Sequence, residues 1–433
     1  MKKVSTIACI IAMTPFYVNA QTVLYNGGTN ITADIGSIIY VDGDVNNSAN
    51  GAIHNQGNIY LTRDWINDAA SGCLDPNAGT VILDGTTQTI KGTQTTTFNN
   101  LDCQNGSTKT LNITTIVSGT SGVLSLNSSA FNLNSNTLIV TNPLSAAVTR
   151  TSGYIISETN PTAGYGIVQW NLGNSAGNYV YPFGTVGGGY IPFIYNITTA
   201  GAQSTSGNIA VATYPTSTIA SPNNRPLPNG VTDLTNPADG SEAGPVCDDR
   251  FWPVVANNYN TQPTADVTFT YEDAEWDNSG GSTNNIAEDS LRAWRWNGSQ
   301  WQLPTLGTCN TFANTVFIQS VNAVSAPWTL KGQEPVPPPP CGDFFLPTAF
   351  SPNGDGHNES FKPRNNCIQD FHLKIYNRWG NLVFETSDAA AGWDGTVTGK
   401  GKDGNEGVYA YEATGHLNNG TVIDKKGTVT LMK

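Results

Sequence analysis

The chain has 433 residues, of which 12% are charged and 38% hydrophobic, with a formal net charge of −13. That length accommodates about two to four domains. The acidic balance excludes a nucleic-acid binder, which needs a basic stripe, and the recurring short runs of Val, Ile, Tyr, Phe and Trp exclude a disordered chain.

Residues 1–20 read as a signal peptide. Lys2 and Lys3 precede an apolar run from Val4 to Met13, and Val18-Asn19-Ala20 is a small-residue cleavage site, so the mature chain is expected to begin at Gln21. Its removal takes two lysines and no acids, which shifts the formal charge from −13 to −15. No later run approaches the roughly 20 apolar residues of a spanning helix, so no transmembrane segment is expected. Cys9 lies in the leader and six cysteines remain. An even number in an exported chain suggests disulfides. Pairing of sequence neighbours gives Cys73–Cys103, Cys247–Cys309 and Cys341–Cys367. Zinc is not expected, because no Cys-x-x-Cys occurs and the four histidines lack ligand spacing.

Residues 21–149 carry short apolar runs such as Ser37–Val41, Asn58–Thr62, Thr80–Asp84, Phe98–Leu101, Gly122–Leu126 and Thr137–Val140. Several start about 20 residues apart, with Gly, Asn and Asp between them. A unit that cannot bury its apolar side alone stacks on its neighbours, so this region reads as a β-solenoid resembling a parallel β-helix. An antiparallel sandwich is the alternative.

Residues 150–330 lose the period and gain aromatics. The run from Asp266 to Tyr271 alternates strictly, with Val267, Phe269 and Tyr271 on one face, as in a half-buried strand. This region reads as a β-sandwich, with a long surface loop over the Pro-, Asn- and Ser-rich residues 214–247. Residues 331–340 (KGQEPVPPPP) are a stiff polyproline linker.

Residues 341–433 show clean alternation again. Phe371, Leu373 and Ile375 alternate with His372, Lys374 and Tyr376, and Asn419-Gly420 signals a hairpin. These features predict a small Ig-like antiparallel β-sandwich, so the chain as a whole is expected to be all-β. The block holds five ordered motifs. They run from Leu346 to Gly356, including Pro352, Asn353, Gly354, Asp355 and Gly356; from Phe371 to Glu385, including Tyr376, Asn377, Arg378, Trp379 and Gly380; Gly392 to Thr396, including Trp393, Asp394 and Gly395; Gly407 to Tyr411; and Gly427 to Leu431. On these motifs the block resembles the gliding-motility-associated C-terminal domain, the type B sorting domain of the type IX secretion system in Bacteroidetes. The resemblance implies Sec export, recognition by the type IX translocon and outer-membrane shuttle proteins, and release or attachment at the cell surface. It does not imply a role in gliding. The family's first motif usually continues Asp-Gly-x-Asn-Asp, whereas this chain has Asp355-Gly356-His357-Asn358-Glu359. Asn353, Asp355 and Glu359 offer oxygens to Ca²⁺. The other reading is a turn held by its own side-chain hydrogen bonds.

No catalytic constellation emerges. His54 is the one histidine outside the terminal block, and no nucleophile elbow accompanies it. Asp64, Asp84 and Asp102 recur about 20 residues apart, yet a stack of carboxylates on successive rungs would be repulsive, so solvated turn residues are the expectation. Trp294, Trp296 and Trp301 form the densest aromatic stretch, readable as a sugar-stacking platform or as packing. The sequence thus points to an exported, non-enzymatic, adhesin-like or structural protein. A secreted carbohydrate-binding or polysaccharide-degrading protein is the alternative, with a surface polysaccharide or another surface protein as partner.

Overall fold

The structure, a computed structural model, describes residues 22–70, 74–75, 79–158, 164–217, 224–277, 282–302, 307–333, 343–364, 367–397, 402–418 and 420–432. The leader expected at residues 1–20 and most of the expected linker lie outside them. The chain divides into two compact units, Met1–Pro335 and Val336–Lys433.

The first unit begins as a three-sided parallel solenoid of about six turns. Its first rung is Val23–Asn26, Asn30–Ala33 and Ile38–Val41, and the second is Asp44–Ala49, Ala52–Asn55 and Asn58–Leu61. One face holds seven strands and another six. On the seven-stranded face, paired residues lie 20 to 25 positions apart, as in Val45↔Trp65, Trp65↔Ile90 and Ile90↔Leu111. That is the period seen in the sequence. Each strand has alternate residues inward, so like positions stack into columns. One column runs Val41, Leu61, Leu83, Cys103 and Leu126, each buried.

Buried asparagines turn the corners. Asn26, Asn47 and Asn67 are in register on successive rungs and are at most 2% exposed. Asn26 Nδ2 donates to Asn47 Oδ1 at 2.7 Å, and Asn47 Nδ2 donates to the Gly51 carbonyl at 2.7 Å. A side-chain amide carries both donors and an acceptor, so it satisfies corner backbone groups that a tight bend removes from the ladder. The run at Phe98–Leu101 is not one strand. Thr96–Phe98 and Asn100–Cys103 lie on different faces, with buried Asn99 between them. A polar pair also sits inside: buried Lys109 donates to the Gly85 carbonyl and, at 2.9 Å, to Gln88 Oε1.

The solenoid does not stop at residue 149. Thr137–Val140 pairs in parallel with Ile167–Trp170. Ile167–Trp170 then pairs antiparallel with Ala202–Val211, and the same sheet continues through Arg250–Thr261, Ala326–Lys331 and Arg292–Arg295. A second, five-stranded antiparallel sheet, from Gly177–Tyr181 to Thr308–Asn310, packs against it. Trp170 meets Tyr179 and Tyr181 edge-on, with ring centroids 5.3 and 5.5 Å away, and Trp252 meets Phe269 at 5.2 Å. The expected sandwich is therefore present, but it grows out of a solenoid face and shares its core. At the other end the first rung has no outer neighbour among the described residues. Val23, Tyr25, Ile38 and Tyr40 are 40%, 64%, 66% and 60% exposed there.

The loop expected over residues 214–247 is, in its described parts 214–217 and 224–247, not a surface loop. Tyr214, Val231, Leu234, Ala243 and Cys247 are buried in a small core with Phe251, Trp294, Trp296 and Trp301. Their irregular spacing among prolines and asparagines concealed them.

Two of the expected disulfides do not form, because Cys103, Cys247 and Cys309 are free. Cys103 points into the solenoid column, whereas Leu74, next to Cys73, lies on a different face. Cys73 itself is outside the described residues. Cys247 belongs to the small aromatic core, while Cys309 sits on the opposite sheet with its Sγ 3.3 Å from Tyr271 Oη. Cys341, expected to pair with Cys367, is outside the described residues.

The second unit holds a five-stranded sheet ordered Ala349–Phe350, Val422–Leu431, Gly407–Leu417, Ile368–Tyr376 and Leu382–Thr386, plus a two-stranded ribbon. The hairpin of Gly407–Leu417 and Val422–Leu431 forms as expected, with Gly420 at φ +83°. Phe350, Phe361, Leu373, Ile375, Trp393 and Val429 fill the core.

Trp170→Ala should cost about 3–5 kcal/mol, because it empties the place where solenoid and sandwich meet. Denaturant unfolding of residues 21–333 should show one cooperative transition that this substitution shifts as a whole. Two separate transitions would contradict the shared core. Native Cys103 and Cys247 should resist alkylation, and both should react on unfolding without reductant.

Candidate functional site

The solenoid aspartates do not form one ladder. Asp64 lies beside the seven-stranded face, where its carboxylate accepts from Thr89 N at 2.8 Å and from Lys91 Nζ at 2.6 Å. Asp84 follows the strand Thr80–Leu83, and Asn105 Nδ2 donates to its Oδ1 at 2.8 Å. Asp102 is in register with Ile82, not with Asp84, and its carboxylate accepts from Gln104 and Asn127 at 2.7 and 2.6 Å. Each is half-buried and held by donors of its own or a neighbouring rung, and Asp102 lies within the strand Asn100–Cys103 rather than in the expected solvated turn. His54 sits within the strand Ala52–Asn55, in register with Thr32 and Asp75.

The tryptophan stretch is not a sugar platform. Trp294, Trp296 and Trp301 are 0%, 3% and 0% exposed. Trp294 stacks on Trp301 at 4.8 Å, Trp296 meets Trp301 at 5.6 Å, and Trp301 Nε1 donates to the Asp233 carbonyl at 2.7 Å. Tyr214, Val231, Leu234 and Ala243 pack over the rings, so the rings are closed to a ligand. Alternation placed the rings near each other but could not say what lay above them.

A different opening lies on the sandwich. A cavity of about 550 Å³ is lined by Tyr190, Tyr271, Glu272, Asp273, Phe312 and Asn314, among others. Phe312 is 99% exposed at its edge. The Arg150 guanidinium lies 3.8 Å from the Tyr190 ring centroid. Burial, and then the neighbouring Glu275, raise the Glu272 carboxyl above the usual carboxylate range. No sequence motif marked this place, because its residues come from three separated segments.

In the second unit, the loop from Pro352 to Glu359 closes on itself. Glu359 accepts from Gly354 N at 3.0 Å and from Gly356 N at 2.8 Å. Asn353 Oδ1 accepts from Asp355 N at 3.1 Å, and Asp355 Oδ1 from His357 N at 2.8 Å. The oxygens of Asn353, Asp355 and Glu359 considered for Ca²⁺ are thus engaged with the loop's own amides, the pattern of side-chain-held turns. The Tyr376–Gly380 motif ends a strand and opens a turn. Asn377 Oδ1 accepts from Trp379 N and Asn381 N at 2.9 and 3.0 Å, and Gly380 takes φ +76°. This turn projects Trp379, 77% exposed, with the Arg378 guanidinium 5.6 Å from its ring. Both line a groove of about 800 Å³ with Leu382, Val397, Glu406 and Tyr409. Trp393, by contrast, is buried, and its Nε1 donates to the Thr396 carbonyl at 2.7 Å. Asp394 accepts from the Thr396 hydroxyl and amide, which lowers its carboxyl below the usual range. Gly395, at φ +88°, lies where an added Cβ would meet Leu431 at 3.1 Å. The motifs therefore divide into a packed set and an exposed set.

Residues 344–431 match the family model of the CHU_C type IX secretion signal domain. No curated protein matches the chain. The match confirms the resemblance of the terminal block, and it implies engagement of the type IX secretion system and export to the cell surface or extracellular space. It covers the second unit and leaves the first unassigned. No helix among the described residues is long and apolar enough to cross a membrane.

The division of the motifs has a measurable consequence. Trp393→Ala should cost about 3–5 kcal/mol of the second unit's stability. Trp379→Ala should change stability by no more than about 0.5 kcal/mol yet reduce secretion, measured as the ratio of extracellular to periplasmic protein. Full secretion of Trp379→Ala would show that the exposed turn is not read.

Proposed function

We propose that residues 22–333 are a displayed, non-enzymatic body, adhesin-like or structural, which the terminal domain delivers to the outer surface or the medium. One observation carries this reading: the solenoid and the sandwich share a continuous sheet and a continuous core. A body without an internal hinge transmits load and presents long polar faces at fixed spacing. The solenoid's outward positions suit that role, with Thr, Asn and Ser abundant among them, as in Asn46, Asn58, Thr80, Thr97, Asn100 and Ser125. In this reading residues 1–20 direct Sec export, the proline-rich stretch that joins the two units begins after Gln333, because Lys331 to Gln333 are bonded into the body, and the translocon and outer-membrane shuttle proteins are the partners of the second unit.

A second reading, a secreted carbohydrate-binding or polysaccharide-degrading protein, draws on the cavity at Tyr190, Glu272 and Phe312. Exposed aromatic rings beside carboxyl groups are what a sugar-binding cleft presents.

Deletion of residues 341–433 should trap the chain in the periplasm; normal surface display of the truncated chain would sink the export reading. A glycan array probed with residues 21–333 separates the two readings. The first expects no glycan signal sensitive to Phe312→Ala. Tight binding lost in that variant, or release of reducing ends from a polysaccharide, would establish the second.

A further inference from the structure

Arg250 is fully buried, and so are four acids near it, Glu158, Asp248, Asp249 and Glu275. Three of these acids are answered by donors. Glu275 accepts from Arg250 Nε at 2.8 and 3.0 Å and from Glu272 N at 3.0 Å. Glu158 accepts from Arg250 Nη1 and Nη2, each at 3.1 Å, and from Val186 N at 2.6 Å. Asp249 accepts from Asn284 Nδ2 at 2.7 Å and from Thr216 Oγ1 at 3.3 Å. The remaining guanidinium hydrogens go to Thr213 Oγ1 and Glu275 Oε1, so Arg250 has no donor left over.

Asp248 is the exception. It is 0% exposed, and neither oxygen of its carboxyl group has a hydrogen-bond partner among the described residues. Its main chain is pinned. Asp248 N donates to the Leu330 carbonyl at 2.9 Å, while its own carbonyl accepts from Arg250 N at 2.8 Å and from Asn224 Nδ2 at 2.7 Å. The charges that act on it are Arg250, Asp249 and Glu275, the last on the short helix Asp273–Trp276. Glu158 faces it across Arg250. The strand Ala326–Lys331 offers the Asp248 main chain the Leu330 carbonyl and the Thr329 hydroxyl, and its Lys331 Nζ lies 5.5 Å from the Trp294 ring centroid. From the covering segment come neutral Asn224 and, toward Cys247, Glu242. One guanidinium already serves two carboxylates, so an ionised Asp248 would be a buried charge without a partner, which is strongly destabilising.

We propose that the folded body carries Asp248 as a neutral carboxylic acid, which acts as a pH-sensitive latch on the cover of the tryptophan core. Burial, and then Glu275, push this carboxyl well above the usual range, against the pull of Arg250. Protonation removes the one charge that the surroundings do not balance. Asp248 is also where the cover is fastened. Its carbonyl holds Asn224, at the start of the described part of the cover, and its neighbour Cys247 lies in the core with Val231, Leu234 and Trp294 and bridges to Lys331. Alkali that takes the proton leaves a charge that is relieved by moving Asp248 toward water, and that movement breaks the Leu330 and Asn224 bonds. Cys247 is then the core residue that opens. Because the folded-state pKa lies above the unfolded value of about 3.9, this contribution to stability is fully present below the unfolded value and is lost as pH rises through the folded one.

The test uses the full mature chain. Infrared spectra at about pH 6, where an ordinary aspartic acid is ionised, should show a protonated-carboxyl band that Asp248→Asn lacks. From about pH 5 to about pH 9, the unfolding equilibrium constant of wild type relative to that of Asp248→Asn should rise, by up to about tenfold per pH unit until Asp248 ionises. Alkylation of Cys247, counted against Cys103 in the same chain, should rise with pH in wild type and stay level in the variant. Asp248→Leu, uncharged and of similar size, repeats the comparison if the asparagine variant does not fold. If neither folds, the wild-type band decides: its loss should coincide with the rise in Cys247 alkylation. The proposal falls if wild type shows no protonated-carboxyl band at about pH 6 beyond that of the variants. It also falls if the ratio of unfolding constants is independent of pH, or if Cys247 and Cys103 alkylate in step across the range.

Discussion

The first unit depends on one constraint. A rung of a parallel solenoid satisfies its backbone only through the rungs on either side of it, so the ladder must be closed off somewhere. Here the closure at one end is a change of direction. Ile167–Trp170 accepts a parallel neighbour on one edge and an antiparallel neighbour on the other. Antiparallel strands then continue the same sheet, and the five-stranded sheet covers its inner face. Trp170 marks the change of geometry. Its ring packs between the aliphatic columns and the aromatic layer of Tyr179 and Tyr181, and its Nε1 donates to the Asn142 carbonyl at 2.9 Å.

The rise in aromatic content follows from that closure. A solenoid interior is narrow, and Val, Leu and Ile fill most of it, with single rings such as Trp65, Phe98 and Phe131 among them. The space between two sheets is about 10 Å deep, and rings such as Trp252, Phe269 and Trp328 span it. Beside this layer the fully buried Arg250 is paired with Glu158 and Glu275. The two units also differ in how far their chemistry is legible. The second carries an address in local motifs, whereas the first carries its polar features in contacts between residues far apart in sequence.

The sequence discloses what repeats and hides what is assembled. The 20-residue period was readable because each rung repeats the same demand for inward apolar residues. The end of the solenoid was not, since Ile167–Trp170 alternates alike whether its partner is parallel or antiparallel. The sorting motifs were readable as strings, yet their division into buried Trp393 and exposed Trp379 needed the fold. The tryptophan platform failed because Val231 and Leu234, which help cover it, lie in a stretch whose prolines and asparagines suggest a loop. The cysteine pairing failed because sequence neighbours such as Cys247 and Cys309 are placed on different sheets.

The exposed first rung gives the body a polarity. In a one-dimensional stack, stability is a sum of unit terms and interface terms, and the two ends here differ in their interfaces. The sandwich end is sealed by a wide core. Among the described residues, the rung at Val23–Val41 has one interface instead of two. Thermal openings in such a stack begin where an interface is missing and move inward one turn at a time. The asparagine ladder of Asn26, Asn47 and Asn67 lies across these first rungs, so its side-chain bonds brace the turns that open most readily.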